Sequence, residues 1–185
     1  MPSRSLGGPH WSFALAVYRE KGVADACLLL QDQFGIDVSL LLFILFCAVE
    51  YGVACDEQCI ADLDSGIAPW RSEIVVALRR VRRRLKSGPH PAPSRETALL
   101  RNTIKSAELR AEQIQMAALA ERLPALVRTG SQQDPALHAI IDRVIANAAE
   151  RASPAQIGGS DIDAARATIA DAAVRVGRRR RKYRK

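Results

Sequence analysis

Apolar residues recur every three or four positions along most of the chain, which is the spacing of an amphipathic helix. Alternating runs of Val, Ile, Thr and aromatic residues, which are typical of strands, are absent. Gly22, Gly35 and Gly52 each follow such a stretch and predict a helix end. The pattern predicts helices at 11–21, 23–34, 38–51, 55–63, 69–86, 95–123, 136–151 and 160–176. The predicted fold is therefore all-α, an irregular helical bundle.

Residues 40–49 form an unbroken run of ten apolar residues. A helix that crosses a membrane needs about 20 apolar residues, and a run of 10–14 is more typical of a buried helix. Asp37 stands just before this helix, where an N-cap residue is expected. We therefore predict a central core helix and no membrane span.

Two later helices flank a proline-rich linker at 87–93, which cannot continue a helix because it holds three prolines in seven residues. The preceding helix is expected to face the core with an apolar stripe formed by Ile74, Leu78, Val81 and Leu85. The following long helix, capped by Ser94, is expected to pack through a heptad seam. That seam comprises Leu100, Ile104, Ala107, Ala111, Ile114 and Ala118.

These elements suggest a division into a flexible N-terminus, a helical core that contains the linker, an alanine-rich helical extension that packs on the core or projects from it, and a basic tail. The four parts are residues 1–9, 10–123, 124–177 and 178–185. The tail is expected to be disordered, because seven of its eight residues are basic and like charges repel one another.

The charge pattern points to the tail as a binding segment. The chain has a formal net charge of +7, whereas residues 1–177 hold 20 basic and 20 acidic side chains. Guanidinium groups pair bidentately with phosphate, so the tail is predicted to bind a polyanion. The predicted binding residues are Arg178, Arg179, Arg180, Arg181, Lys182, Arg184 and Lys185. A purely solubilising terminus and attachment to an anionic membrane surface are the alternatives.

A second basic surface is predicted on the helix at 69–86, formed by Arg79, Arg80, Arg83 and Arg84. It would suit a phosphate backbone. Internal pairing with glutamates of the next helix, among them Glu108 and Glu112, is the competing interpretation, and the neutral charge of residues 1–177 favours it.

A pocket near Tyr18, Trp70 and Arg71 is a third candidate site, in which a helix N-terminus would receive an anionic ligand. A tryptophan that caps the core beside a surface charge is the simpler interpretation. Cys55 and Cys59 share a helical face, but the sequence offers no complete metal-ligand set, so no metal and no cofactor are predicted. Glycine-rich phosphate loops and hydrolase motifs are also absent, which disfavours an enzyme.

Several short strings of the first 123 residues, in order, resemble one family. They include Phe13-Ala14-Leu15, Gly22-Val23-Ala24, Leu40-Leu41-Leu42-Phe43, Pro69-Trp70-Arg71 and Ala111-Glu112. They are similar to a proteobacterial family of conserved hypothetical proteins with a helical domain of unknown function, over about residues 10–123. The resemblance implies a cytosolic helical protein and transfers no catalytic residues.

Together these features predict a non-enzymatic, cytoplasmic bacterial interaction protein. Its body is expected to bind another protein through an alanine-rich helical face, while the tail attaches to RNA, DNA or a ribonucleoprotein. A small-ligand-binding protein or enzyme with a site inside the bundle, and a peripheral membrane-surface protein, are the alternatives.

Overall fold

The computed structural model describes residues 6–129, 131–132, 136–149 and 159–182. It confirms an all-α helical bundle. The helices are α1 (Pro9–Tyr18), α2 (Val23–Phe34), α3 (Val38–Tyr51), α4 (Glu57–Trp70), a π turn (Arg71–Val75), α5 (Val76–Ser87), α6 (Arg95–Ala120), α7 (Leu123–Thr129), α8 (Leu137–Ala149) and α9 (Gly159–Lys182). Two short strands, β1 (Val53–Ala54) and β2 (Ser131–Gln132), pair antiparallel.

Helix α3 lies at the centre of the core. Every residue from Leu40 to Val49 is buried, and α3 packs against α1, α6, α8 and α9. As predicted, Asp37 caps the start of α3: its side chain accepts hydrogen bonds from the backbone N–H groups of Ser39 and Leu40. Gly52 ends the helix with a φ of 68°. Within the described ranges, no helix combines the length and the apolar character that a membrane crossing requires.

The predicted break at Ser65-Gly66 and the predicted new helix at Pro69 are both wrong. Helix α4 runs through Gly66 and Pro69 to Trp70 and continues through the π turn into α5. A helical glycine costs only about 1 kcal/mol relative to alanine, and a proline inside a helix can be accommodated by a local distortion such as a π turn. Burial stabilises this continuous segment at Ile60, Leu63, Ile67 and Val75.

The two predicted apolar seams beside the linker are also wrong. The side chains of Ile74 and Val81 are 38% and 46% exposed, and none of the twelve described residues of α5 is buried. Leu100, which should begin the seam of α6, is 49% exposed. Of that seam only Ala111 is buried, and between the linker and its last turns α6 buries it together with the polar residues Thr97, Glu108 and Gln115.

The linker itself is confirmed, because α5 ends at Ser87 and α6 begins at Arg95. Ser94 caps α6, and its hydroxyl accepts a hydrogen bond from the backbone N–H of Thr97 at 3.1 Å. The Thr97 hydroxyl accepts one in return from the backbone of Ser94. This reciprocal capping box fixes the start of α6.

The helices after residue 124 complete the core instead of projecting from it. Helix α8 packs against α3 and α4, and α9 packs against α1, α2 and α3. Gly177 does not end the last helix as predicted. It is buried inside α9, where an added Cβ would lie 2.1 Å from Cγ1 of Val49.

Candidate functional site

A helical hairpin carries as large a surplus of positive charge as the C-terminal segment 178–185. We define the cationic hairpin as residues 71–112, which comprise the π turn, α5, the linker and most of α6. This segment holds 11 basic and 4 acidic residues, while the rest of the chain holds 16 of each. The hairpin therefore has a formal charge of +7, the same as residues 178–185, and acidic residues in the remaining parts of the chain offset one of these two surpluses.

The prediction of a disordered tail is wrong for Arg178–Lys182, which form the last turns of α9. Arg179 pairs with Glu20, and Nε of Arg180 lies 2.9 Å from Oε1 of Glu50. Arg181 donates to the backbone oxygen of Val49 at 2.6 Å, in the last turn of α3. Carboxylates and the carbonyl end of a helix both attract cations, so these contacts order the segment.

The predicted polyanion-binding set is thereby divided. Arg178 and Lys182 are exposed on α9, whereas Arg179, Arg180 and Arg181 make the internal contacts just described. The predicted site residues Arg184 and Lys185 lie outside the described residues.

The inner face of the hairpin is an ion-pair network. Nε of Arg79 lies 3.0 Å from Oε1 of Glu108, and its Nη2 lies 2.8 Å from Oε1 of Glu112. Arg82 pairs with the other oxygen of Glu108. Internal pairing, the alternative that the neutral charge of residues 1–177 favoured, therefore holds for these two arginines.

The two glutamates of this network are held in different protonation environments. Burial would raise the pKa of Glu108, but hydrogen bonds from Arg82 and Arg79 outweigh it and lower the pKa. Burial raises the pKa of Glu112, and the charge of Glu108 adds to the effect. The pKa values of these two glutamates, one helical turn apart, are therefore shifted in opposite directions.

The outer face of α5 is exposed and basic. Arg80, Arg84 and Lys86 are exposed and form no ion pair within the described part of the chain. Arg83 approaches Asp32 at 3.4 Å, but both side chains are more than half exposed. An exposed pair of this kind contributes little to stability. Of the second predicted basic surface, Arg79 belongs to the inner network, Arg83 contacts Asp32, and Arg80 and Arg84 form the free cationic surface.

A groove of about 560 Å³ lies between α5 and the linker, beside this surface. Arg80 and Arg84 line it together with the apolar side chains of Val81 and Leu85. The groove therefore has the guanidinium groups of Arg80 and Arg84 next to an apolar surface.

The predicted pocket residues do not converge on one site. Tyr18 lines a cleft of about 750 Å³, and Arg71 lines a neighbouring cavity of about 210 Å³. Trp70 is not among the residues that line these two cavities. Its indole N–H donates to the backbone oxygen of Ala111 at 3.1 Å, so it joins α4 to α6.

Arg71 belongs to a buried polar network that sequence reasoning missed. It pairs with Asp64 and lies 3.5 Å from Oδ2 of Asp37. Asp37 also accepts a hydrogen bond from Gln115 at 2.7 Å, and Asp64 accepts one from Asn147 at 3.2 Å. The seven-residue spacing of Asp64 and Arg71 would have shown the pair, had the helix not been predicted to break between them.

The large cleft lies between α1 and α2 on one side and the hairpin on the other, with the start of α3 at its floor. Its apolar lining includes Trp11, Leu15, Leu28, Leu42 and Met116. Its polar lining includes Arg79, Arg82, Arg83, Asn102, Lys105, Ser106, Glu108 and Glu112. Burial raises the pKa of Tyr18 at one edge of this cleft.

Nothing in the described part of the chain gathers three or more His, Cys, Asp or Glu side chains into a metal site. The thiols of Cys55 and Cys59 share a hydrogen bond. Burial raises the pKa of Cys27, which lines the large cleft, to about 12. That thiol therefore stays protonated near neutral pH and is a poor nucleophile.

No curated protein and no solved structure matches the chain. Residues 9–119 match the family described as protein of unknown function (DUF2390). The matched segment covers more than half of the 185 residues. It spans α1 to α5 and nearly all of α6, and therefore includes both the cationic hairpin and the large cleft. The chain belongs to the DUF2390 family of proteins of unknown function.

Proposed function

We propose that this protein is a non-enzymatic helical interaction protein that attaches to RNA, DNA or a ribonucleoprotein through the outer face of α5. The observation that supports the proposal is the surplus of seven positive charges in residues 71–112, with Arg80 and Arg84 exposed and without ion-pair partners in the described residues. This proposal differs from the sequence-based prediction, because the attachment site is now on the hairpin and not on the C-terminal tail.

The geometry of α5 suits a phosphate backbone. Arg80 and Arg84 are four residues apart, so they project from one side of the helix. Guanidinium groups bind phosphate oxygens bidentately, and each contact releases counterions. In the adjoining groove the guanidinium groups of Arg80 and Arg84 lie beside the apolar side chains of Val81 and Leu85. An unstacked base of single-stranded RNA can stack on a guanidinium plane.

Exposed leucines on α6 support the second part of the proposal, a protein partner. Leu99 and Leu100 are 62% and 49% exposed. Leu100 belongs to the predicted seam, and together with Leu99 it offers the face that would receive another helix, because exposed apolar patches mark protein interaction sites.

The experiment measures the affinity for a short, fluorescently labelled single-stranded RNA by anisotropy across a salt series. We compare the double variant Arg80→Gln and Arg84→Gln with the matched double variant Arg178→Gln and Lys182→Gln, which removes the same charge from the end of α9. The hairpin variant is expected to weaken binding about tenfold or more and to reduce the salt slope by about 1.4, since each phosphate contact on a single strand contributes about 0.7.

The tail variant is expected to bind within about twofold of the unchanged protein, because it keeps the proposed phosphate contacts of Arg80 and Arg84. A loss confined to the tail variant would return the binding site to the tail, and an equal loss in both variants would mean that affinity follows total charge and not the outer face of α5. Unchanged RNA binding in the hairpin variant, or binding to anionic vesicles in place of RNA, would overturn the proposal.

A further inference from the structure

The large cleft has a size suited to a small ligand. Its volume of about 750 Å³ falls in the range of about 300–1,000 Å³ that is typical of small-molecule sites. It is walled by four different helices, α1, α2, α5 and α6. Helix α6 packs against α1 and α3, and α5 packs against α6.

The two walls of the cleft differ in chemistry. The wall from α1 and α2 is largely apolar, and Leu28 in it is 43% exposed. Leu109 of α6 faces the same space and is 48% exposed. Covering the exposed surface of such side chains with an apolar group is favourable, because apolar surface is then removed from water. The cleft therefore favours a ligand with an apolar body.

The opposite wall carries positive charge at its rim. Arg79 and Arg82 are neutralised by Glu108 and Glu112, so they leave little net charge inside the cleft. Lys105 forms no ion pair within the described ranges, and Arg83 has only its weak contact with Asp32. Two cations thus stand at the edge of an apolar space, and the side-chain amide of Asn102 lies beside them as a hydrogen-bond donor.

We infer that the cleft binds a single-chain amphiphile with an anionic head group. The chain lies against Leu28 and Leu109, and the head group, a carboxylate or a phosphate, pairs with Arg83 and Lys105. The charge complementarity of the rim selects an anion over a neutral alcohol, and the apolar wall selects a long chain over a short one. This inference is independent of RNA binding, because Arg80 and Arg84 lie on the other flank of α5.

The test uses Trp11, which lines the cleft, as a fluorescent reporter. Trp70→Phe removes the second of the two tryptophans, and circular dichroism confirms that this variant is folded. Dodecanoate is titrated below its micellar concentration, with dodecanol and butyrate as the neutral and short-chain comparisons. Saturable binding of dodecanoate is expected, with both comparisons at least about tenfold weaker, which corresponds to about 1.4 kcal/mol.

Two variants in the Trp70→Phe background locate the site. Arg83→Gln with Lys105→Gln is expected to weaken dodecanoate binding about tenfold or more, since both charge-assisted contacts to the head group are lost. Leu28→Asp, on an exposed position that leaves the core intact, should weaken it similarly. Arg80→Gln with Arg84→Gln is the matched control and should bind as the background does. The inference is overturned if dodecanol binds as tightly as dodecanoate, if the Arg83 and Lys105 changes have no effect, or if no saturable change occurs.

Discussion

Helix α3 and the cationic hairpin are two regions of one bundle that are stabilised in different ways. Ten consecutive apolar residues of α3 are buried, whereas α5 buries none and meets α6 through Arg79, Arg82 and Glu108. Apolar burial is insensitive to pH, while ion pairs depend on protonation and salt. The hairpin is therefore the region whose attachment responds to solution conditions, and it leaves its remaining cations free for partners.

The largest effect should come from the core. Phe46→Ala removes a side chain that is 1% exposed and contacts Phe13 and Tyr51, so we expect a loss of about 3–5 kcal/mol in the free energy of unfolding. Urea denaturation measures it. Val81→Ala on the hairpin, at a position 46% exposed, is the control and should change stability by less than about 0.5 kcal/mol. Equal losses would remove the distinction between the two regions.

Glu108→Ala should be next in size. It leaves Arg79 and Arg82 half-buried without one of their carboxylates, which we expect to cost about 2–4 kcal/mol, somewhat less than a fully buried pair. Hydrogen exchange should show faster opening of α5 with α3 unchanged. Glu73→Ala, an exposed acidic residue of the π turn, provides the comparison. Uniform loss of protection throughout the bundle would mean that the hairpin is not a separate unit.

Gly177→Ala tests the close approach of α9 to α3. The new methyl group would clash with Val49, so we expect a loss of about 1–3 kcal/mol from overpacking. Adding Val49→Ala should restore part of that loss. Gly66→Ala is the control with the opposite sign, because nothing lies within 4 Å of its added Cβ and alanine is favoured in a helix by about 1 kcal/mol. Thermal unfolding of these three variants and of the unchanged protein measures the effects.

The smallest effect concerns pH. The lowered pKa of Glu108 means that its contribution to stability is complete above its ordinary pKa of 4.5 and is lost as the pH falls through the folded value. The raised pKa of Glu112 acts in the opposite sense, so stability falls as the pH rises from 4.5 through its folded value. Glu108→Gln should therefore flatten the acid side of the stability profile. Urea unfolding between pH 3 and pH 7 measures this, and an unchanged slope would contradict it.

The apolar core was predictable because its signals are local. The bounds of α2 and α3 agree with the sequence pattern, since a glycine ends each helix and Asp37 caps the second. The hairpin was not predictable to the same degree. The spacing of apolar residues predicted that Ile74 and Val81 face the core. In the structure Arg79 and Arg82 of α5 face α6, where they pair with Glu108.

The same limitation explains the tail and the pocket. The basic residues of 178–185 suggested repulsion and disorder, because their partners, Glu20 and Glu50, are more than 120 residues away in sequence. Tyr18, Trp70 and Arg71 are grouped by chemistry alone. The unbroken path of α4 through the π turn places Trp70 and Arg71 against α6 and Asp64, away from the cleft that Tyr18 lines.

The last turns of α9 also contact the start of α1, which is distant in sequence. Nη2 of Arg180 lies 3.3 Å from the backbone oxygen of Pro9, the first residue of α1. Adjacent first and last helices are the arrangement that tolerates circular permutation. A circular permutant would connect α9 to α1 and have its new ends in the proline-rich linker. In that variant α5 and α6 would no longer be joined by the chain, so only the Arg–Glu pairs and the packing between the two helices would hold them together.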